Sequence, residues 1–496
     1  MSSDTADPAV RAVCPAIVDP VGELVGPFDL PANGSRTAAP RAVRAWWTRL
    51  RTDPARMAAI RDSWRALWLS RALVWTAGVG TLVTFGYGPV RNAFNPPGVT
   101  KGFGWLGDLL AGPAARWDAS WYLVIAHYGY RPDLGVFTAS RTAFFPLYPL
   151  GLRAFSSLGL PPVAAGVLLS LLALALALYG IHRLSALELS HDDADADADT
   201  GAGALGSAGG TDVARVAVMV TAFAPMAFFF SAVYSESLYL ALSVGVFWCA
   251  RQGRWALAGM LGALAVATRS AGIVLALPVL VLYLYGPRED RVPELPTPSG
   301  LVRGLRPRYR PRPDLLWLAL LPAGLGLYMT YLALSGGDAL LPFHAQSVWY
   351  RHFAGPYLGV WDGVKAAFEG ARQLLSFQRH HVYFPAGGSP FIEAGHNLIL
   401  LAFLLAVVPA VVGVLRRLPL AYGIYVIAAL ALPLSYPVKP QPLMSLPRFL
   451  VVLFPLSIWL AAWLSERPRA RTPALVLSAL LMALFVGQFT TWHWVA

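Results

Sequence analysis

The chain holds 496 residues, 56% of them hydrophobic and only 13% charged, with a formal net charge of +12. Soluble domains run nearer about a quarter charged, so this balance argues against an ordinary water-soluble enzyme. The arginines sit in an N-terminal arm and in short loops between apolar runs, the positive-inside pattern, so no nucleic-acid partner is needed to explain the charge. Apolar runs of membrane-spanning length recur along most of the chain, and about 20 such residues cross a ~30 Å hydrocarbon layer. Segments of about ten alternating residues, the mark of a β-barrel, are absent. The reading is an all-α polytopic membrane protein. Cys14 and Cys249 lie far apart, with neither zinc spacing nor an evident disulfide role.

In chain order, residues 1–40 are rich in Ala, Pro and Gly and read as a disordered cytoplasmic tail without a signal peptide. Residues 41–65 carry arginines with Trp46, Trp47 and Trp64, and read as a basic amphipathic helix on the membrane surface. A first span is expected near 66–88. The basic stretches 251–254, 286–314 and 465–471, with Arg416 and Arg417, mark cytoplasmic loops. Counting back from them makes 89–160 one extracytoplasmic loop, whose apolar parts must lie along the membrane or re-enter it. Further spans are expected near 161–184, 213–233, 236–250, 255–269, 271–285, 315–335, 396–415, 418–433, 447–464 and 474–494. That gives about eleven in a domain running from 66 to 496. Residues 336–395 form a second large outer loop, and the two outer loops together would roof a cavity. The Asp/Ala/Gly run within 185–212 reads as a flexible cytoplasmic insert, because Asp alternating with Ala holds no fixed metal geometry.

An ionisable residue at membrane depth is costly and becomes a functional candidate by default. Asp118, His127, Arg141, Glu236, Arg269, Lys439 and Arg448 fall toward the outer face on this topology. Trp117 and Trp121 flank Asp118 and would shed water around its carboxylate, which suits it to take a proton from an attacking hydroxyl. Arg141, Arg269, Lys439 and Arg448 suit an anionic leaving group such as phosphate, which needs no general acid. Each residue also has a plainer reading. Asp118 fits a helix N-cap, His127 a packed interfacial residue, and Glu236 a cap for the helix after Ser235. Arg448 fits a side chain snorkelling to head groups.

Three segments together separate these readings. WDASWYLVIAHYGY (117–130) followed by AFFPLYPL (143–150) resembles the first-loop signature of the PIG-V family, mannosyltransferases of the GT-C superfamily whose eukaryotic members add the second mannose of the GPI anchor. AFAPMAFFFSAVYSESLYLAL (222–242) resembles the family's second signature, and WALAGMLGALAVATRSAGIVL (255–275) its following hairpin with an Arg-Ser pair. LMSLPRFLVVLFPLSIWLA (443–461) is similar to the family's C-terminal segment.

The resemblance implies a GT-C fold and a polyprenyl-phosphate-mannose donor used with inversion, an α-mannoside arising from a β-linked donor. It implies neither a metal nor a separate cofactor. Asp118 matches the acidic residue of the first outer loop that serves as general base. Donor-phosphate contacts are expected from Arg269, Arg448, Arg141 and Lys439. Substrate contacts and loop architecture are expected from Trp117, Trp121, Tyr122, His127, Tyr130, Phe145, Pro146, Tyr234, Glu236 and His344. The expected setting is the cell membrane, multi-pass, with a cytoplasmic N-terminus and an extracytoplasmic site among membrane lipids. Arginine is used far more than lysine, which occurs only as Lys101, Lys365 and Lys439, suggesting a GC-rich bacterial genome. A GPI acceptor therefore does not transfer, and a glycan, a glycolipid or a protein remains open. The donor sugar is carried by analogy alone. The alternative is a lipid or polysaccharide transporter or flippase, which usually shows internal repeats with broken helices at the midplane; none is evident here.

Overall fold

The computed structural model describes residues 53–86, 94–101, 104–130, 138–197, 206–294, 307–383 and 388–495. Among them the secondary structure is helical, with one isolated backbone bridge between Arg351 and Val438. The helices used below are α1 (Pro54–Phe85), α2 (Ala119–Tyr128), α3 (Leu147–Ser157), α4 (Pro162–Asp197), α5 (Gly206–Ala222), α6 (Glu236–Arg251), α7 (Trp255–Thr268) and α8 (Ala276–Tyr285). They continue with α9 (Leu320–Gly336), α10 (Leu341–Val348), α11 (Pro356–Ser376), α12 (Pro390–Arg417), α13 (Leu420–Leu434), α14 (Leu446–Val451), α15 (Phe454–Ser465) and α16 (Pro468–Thr490).

Five helical segments are by themselves long and apolar enough to cross a membrane: Pro54–Phe85, Pro162–Leu189, Pro313–Gly336, Pro390–Arg417 and Pro468–Thr490. Shorter apolar helices pack among them, notably α7, α13, α15 and the 3₁₀ turn Ser270–Leu275 that leads into α8. Within residues 58–496, α4 packs on α5 and α6, α6 on α7, α7 on α9, α15 on α5, and α11 on α12.

The two ends of these helices differ in chemistry. At one end α6 finishes at Arg251, which is buried in an ion pair with Glu188 of α4; Tyr422 of α13 donates to the same carboxylate at 2.8 Å. Nearby, Arg288 stacks over Trp255, Tyr283 and Tyr309 and binds Asp290, while Arg291 pairs with Asp314. At the opposite end lie Asp118, Glu236, Arg269 and Arg448. Arg251, Arg288 and Arg291, from the basic stretches read in the sequence as cytoplasmic, thus sit at the other end of α6 from this cluster.

Several expectations change. Residues 41–52 lie outside the described residues, as does the tail 1–40; residues 54–65 are the first turns of α1 and continue unbroken into the first apolar stretch. Asp62 and Ser63 are buried, and Asp62 lies 3.5 Å from His182 of α4, so this part of the helix packs against protein rather than lying flat on a surface. The insert 185–212 is shorter than its composition suggests. Ser185 and Glu188 are buried, α4 continues to Asp197, and α5 begins at Gly206; Ala's high helix propensity lets the Asp/Ala pattern extend a helix already anchored by packing. Residues 198–205 lie outside the described residues. The second outer loop, 336–395, contains α10, α11 and the start of α12.

Helix α11 seats through glycine. A Cβ on Gly359 would lie 1.8 Å from the Leu434 carbonyl oxygen at the end of α13, and one on Gly363 would lie 2.6 Å from Leu443. We expect Gly359→Ala to destabilise the protein by about 1–3 kcal/mol through overpacking. The measurement is thermal unfolding in detergent, with Gly326→Ala as reference, since a Cβ there meets nothing within 4 Å. Equal unfolding temperatures for the two variants would show that α11 does not depend on this contact.

Candidate active site

The site is assembled from two sequence stretches that lock together by backbone. The Val233 N–H donates to the Ala114 carbonyl at 3.0 Å, and the Tyr234 hydroxyl donates to the Arg116 carbonyl at 3.0 Å while accepting from the Asp118 N–H at 3.1 Å. Tyr122 Oη shares a 2.8 Å hydrogen bond with Ser235 Oγ. The fully buried Tyr148 reaches Gly166 and Ser170 of α4, and Ser170 donates in turn to the Ala232 carbonyl. Arg116 fixes the entry to α2 by binding the carbonyls of Gly112 and Thr490 and stacking on Trp492.

Helix α2 answers a question raised by its composition. Its ten residues span about 15 Å, too little to cross a bilayer. Ala119 through Ala126 are all buried, so its apolar character serves contact with protein on every side rather than contact with lipid along one face. Trp117, the residue before Asp118, has φ +55, a conformation that L residues rarely adopt. Its ring is held by the edges of Trp492 and Trp494, at centroid distances of 5.8 and 5.3 Å. That turn aims Asp118 away from the α2 axis. Asp118 occupies the N-cap position, yet its side chain makes no capping hydrogen bond. It pairs instead with Arg448.

Four charges meet here. Arg448 Nη1 donates to Asp118 Oδ2 at 2.6 Å, and Arg448 Nε lies 3.2 Å from Glu236 Oε1. Arg269 Nη1 donates to the same Glu236 oxygen at 3.0 Å. The side chains of Glu236, Arg448, Arg269 and Asp118 are 2%, 12%, 13% and 19% exposed, so Asp118 is the most open member. The Phe449 ring lies between the two guanidinium groups, 5.6 Å from Arg448 and 5.1 Å from Arg269. Local structure explains each placement. Glu236 starts α6, where a carboxylate also meets the positive end of the helix dipole. Arg269 is extended (φ −154, ψ 147) at the break between α7 and the 3₁₀ turn, and only glycine at 272 lets that turn close on the backbone of Ala265. Arg448 sits on α14, a short helix after Ser445, whose φ is +71.

The two carboxylates and two guanidiniums sum to zero charge. Asp118 Oδ1 has no hydrogen-bond partner among the described residues, so one oxygen is held by Arg448 and the other is open to a hydroxyl. Glu236 Oε2 is buried without a partner there. The cluster can therefore hold a base in a fixed pose, partly dehydrated and close to cations.

The remaining sequence candidates fall into two groups. Trp121 stacks on Phe94 at 4.3 Å and meets Phe144 and Trp349, which docks the second outer segment onto α2. Tyr122 and Tyr234 belong to the frame just described. Tyr130 donates to the Phe144 carbonyl, Phe145 packs on Tyr328, and Pro146 starts α3, so these three shape the wall at the next remove. Four candidates are not brought into the ion cluster. Arg141 is buried and binds the Gly129 carbonyl, closing the end of α2. His127 is exposed at the far end of α2 beside Tyr128. His344 is exposed and pairs with Asp338 at 2.9 Å. Lys439 is exposed next to Val438. Among the described residues no group of three or more His, Cys, Asp and Glu side chains converges to hold a metal ion.

One residue was missed. Arg351, half-buried between α10 and α11, feels both Arg448 and Asp118: burial first, then repulsion by Arg448, push its pKa down to about 10 against the pull of Asp118. Nothing in its local sequence distinguishes it from the histidines around it.

Residues 92–283 match the family described as Mannosyltransferase (PIG-V). The chain is also similar to the GPI alpha-1,6-mannosyltransferase 2 of Cricetulus griseus, 31% identical over 195 residues, covering 37% of this chain and 34% of that protein. The chain thus spans about a third of the length of the curated relative it matches. The family segment contains Asp118, Glu236 and Arg269, and ends before Arg351, Lys439 and Arg448. From residue 92 to residue 283, this chain is similar to the PIG-V mannosyltransferase family.

Proposed function

We propose that the chain is a membrane glycosyltransferase that moves mannose from a polyprenyl-phosphate-linked donor to an acceptor hydroxyl. The observation that carries this reading is Asp118, held through one oxygen by Arg448 and open at the other, inside a PIG-V family segment. In the reaction the acceptor oxygen attacks the anomeric carbon, its proton passes to Asp118 Oδ1, and the bond from carbon to the phosphate oxygen breaks with its electron pair leaving on the lipid phosphate. Attack opposite the leaving group inverts the centre. Arg448 holds the base and, with Arg269, fixes Glu236; these residues keep the cluster rigid while charge moves to the phosphate. The acceptor is a glycan, a glycolipid or a protein.

The reading places the site at the extracytoplasmic boundary of the cell membrane, with the N-terminus cytoplasmic. Support comes from the chemistry of the two ends, since Arg251, Arg288 and Arg291 lie opposite the cluster along α6. The reading takes eleven helical passes: the five long segments, with α5, α6, α7, 270–285, α13 and α15 as the other six.

The test is transfer of labelled mannose from polyprenyl-phosphate-mannose to a membrane extract by the purified full chain. Formation of a labelled mannoside is the expected result. No transfer, with labelled lipid crossing a proteoliposome bilayer instead, overturns the reading in favour of a flippase.

A further inference from the structure

The four-charge cluster poses a problem for a phosphate-linked donor. Arg448 is committed to Asp118 and Glu236, and Arg269 to Glu236, so the two cations nearest the base are already neutralised. Arg141 is turned to a backbone carbonyl. A phosphodiester brings one negative charge, and the lipid phosphate that leaves carries more, so the site needs a cation that is not already spent.

Arg351 has that property. Among the described residues no carboxylate, carbonyl or aromatic ring takes its guanidinium group. Its backbone is nevertheless well fixed. It bridges Val438, its N–H donates to the Gln346 carbonyl at 2.9 Å, and the Ala354 N–H donates to the Ser435 carbonyl at 2.8 Å. Trp349, two residues earlier, packs against Trp121 of α2 and Phe144, which ties the segment to the helix that begins beside Asp118. The bridge to Val438 pins the Arg351 backbone to the segment that leads into α14, which carries Arg448. An unpaired guanidinium on a fixed backbone, within the electrostatic reach of Arg448 and Asp118, forms a place for an anion.

We infer that Arg351 is the phosphate-binding element of the donor site, clamping the lipid-linked phosphate while Arg448 and Arg269 act as positioning residues for Asp118 and Glu236. The inference rests on the glycosyl-transfer reading above. A guanidinium presents a planar fork that takes two phosphate oxygens, which lysine cannot reproduce. The repulsion it feels from Arg448 is relieved when an anion arrives, so binding of the donor and stabilisation of the departing phosphate draw on the same group.

The experiment measures binding of labelled polyprenyl phosphate to the full chain in nanodiscs, beside mannose transfer, for wild type, Arg351→Ala, Arg351→Gln and Arg351→Lys. Arg351→Ala and Arg351→Gln should weaken binding by about tenfold or more, as expected for loss of a charge-assisted hydrogen bond, with Arg351→Lys recovering part. The acceptor KM should not change, and unfolding temperature should stay near wild type; Arg351→Gln serves if the Ala variant does not fold. Wild-type affinity in folded Ala and Gln variants overturns the inference while leaving mannose transfer intact. Equal competition by phosphatidate also overturns it, reassigning Arg351 to a head-group contact. If the wild type binds polyprenyl phosphate through Arg351 yet transfers no sugar, the transfer reading falls and the phosphate site stands.

Discussion

Asp118→Asn should lower kcat for mannose transfer by about 10²–10⁴-fold, the range general-base catalysis contributes. Asn keeps the shape of Asp and an oxygen for Arg448, so the 2.6 Å contact and the fold should survive. It cannot take a proton. The substitution also changes the charge of the site in a definite direction: the neutral cluster becomes net positive by one. An anionic donor should therefore bind at least as well as before, and its KM should hold or fall while kcat collapses. That split separates the base from a residue that merely binds substrate, for which KM would rise with kcat little changed. It also separates catalysis from folding, because an unfolding temperature close to wild type is expected. A folded Asn variant that turns over at the wild-type rate would remove Asp118 from the chemistry.

How much of this was legible in sequence depends on the kind of contact. Asp118, Glu236, Arg269 and Arg448 stand out as charges in apolar surroundings, and the structure gathers all four. That follows from cost: a charge at the end of an apolar helix must find a partner or stay near water. Their pairing was not legible. Periodicity offered Asp118 as a helix cap, and only the left-handed turn at Trp117 shows why the carboxylate faces Arg448 instead. Arg141 and His344 carry the right chemistry, but backbone geometry sends one to the Gly129 carbonyl and the other to Asp338. Arg351 was invisible for the opposite reason. Its placement rests on the bridge to Val438 and on Trp349 packing against Trp121, contacts between distant segments that leave no periodic signal. The boundary errors have one physical cause. Composition marked 54–65 and 185–197 as surface or linker, whereas burial of Asp62, Ser63, Ser185 and Glu188 carries both helices past those limits. Polar residues in such helices are read as exposed until their partners, His182 and Arg251, are known.

Arg448→Met should be the most damaging single change to the site, and more damaging to stability than Asp118→Asn. Methionine fills similar length without charge, so packing against Phe229, Tyr234 and Phe449 is largely kept. What is lost is the group between two carboxylates. Glu236 retains Arg269, but Asp118 loses the partner that holds Oδ2, and the site is left with two carboxylates and one cation. Removing one member of a buried ion pair costs about 3–5 kcal/mol, because the charge left behind stays desolvated. The partial exposure of Asp118 places the expected loss toward the lower end of that range. Arg448→Lys distinguishes charge from geometry. A lysine restores neutrality and should recover most of the unfolding temperature, yet its ammonium is a point charge that cannot reproduce the guanidinium's fork to both Asp118 and Glu236. Transfer should therefore stay impaired in a variant that is stable. Combining Arg448→Met with Asp118→Asn tests the pairing directly: with the carboxylate gone, the double variant should regain stability over Arg448→Met alone. A double variant that unfolds at a temperature lower by the sum of the two single losses would mean that Arg448 supports the fold through some contact other than Asp118.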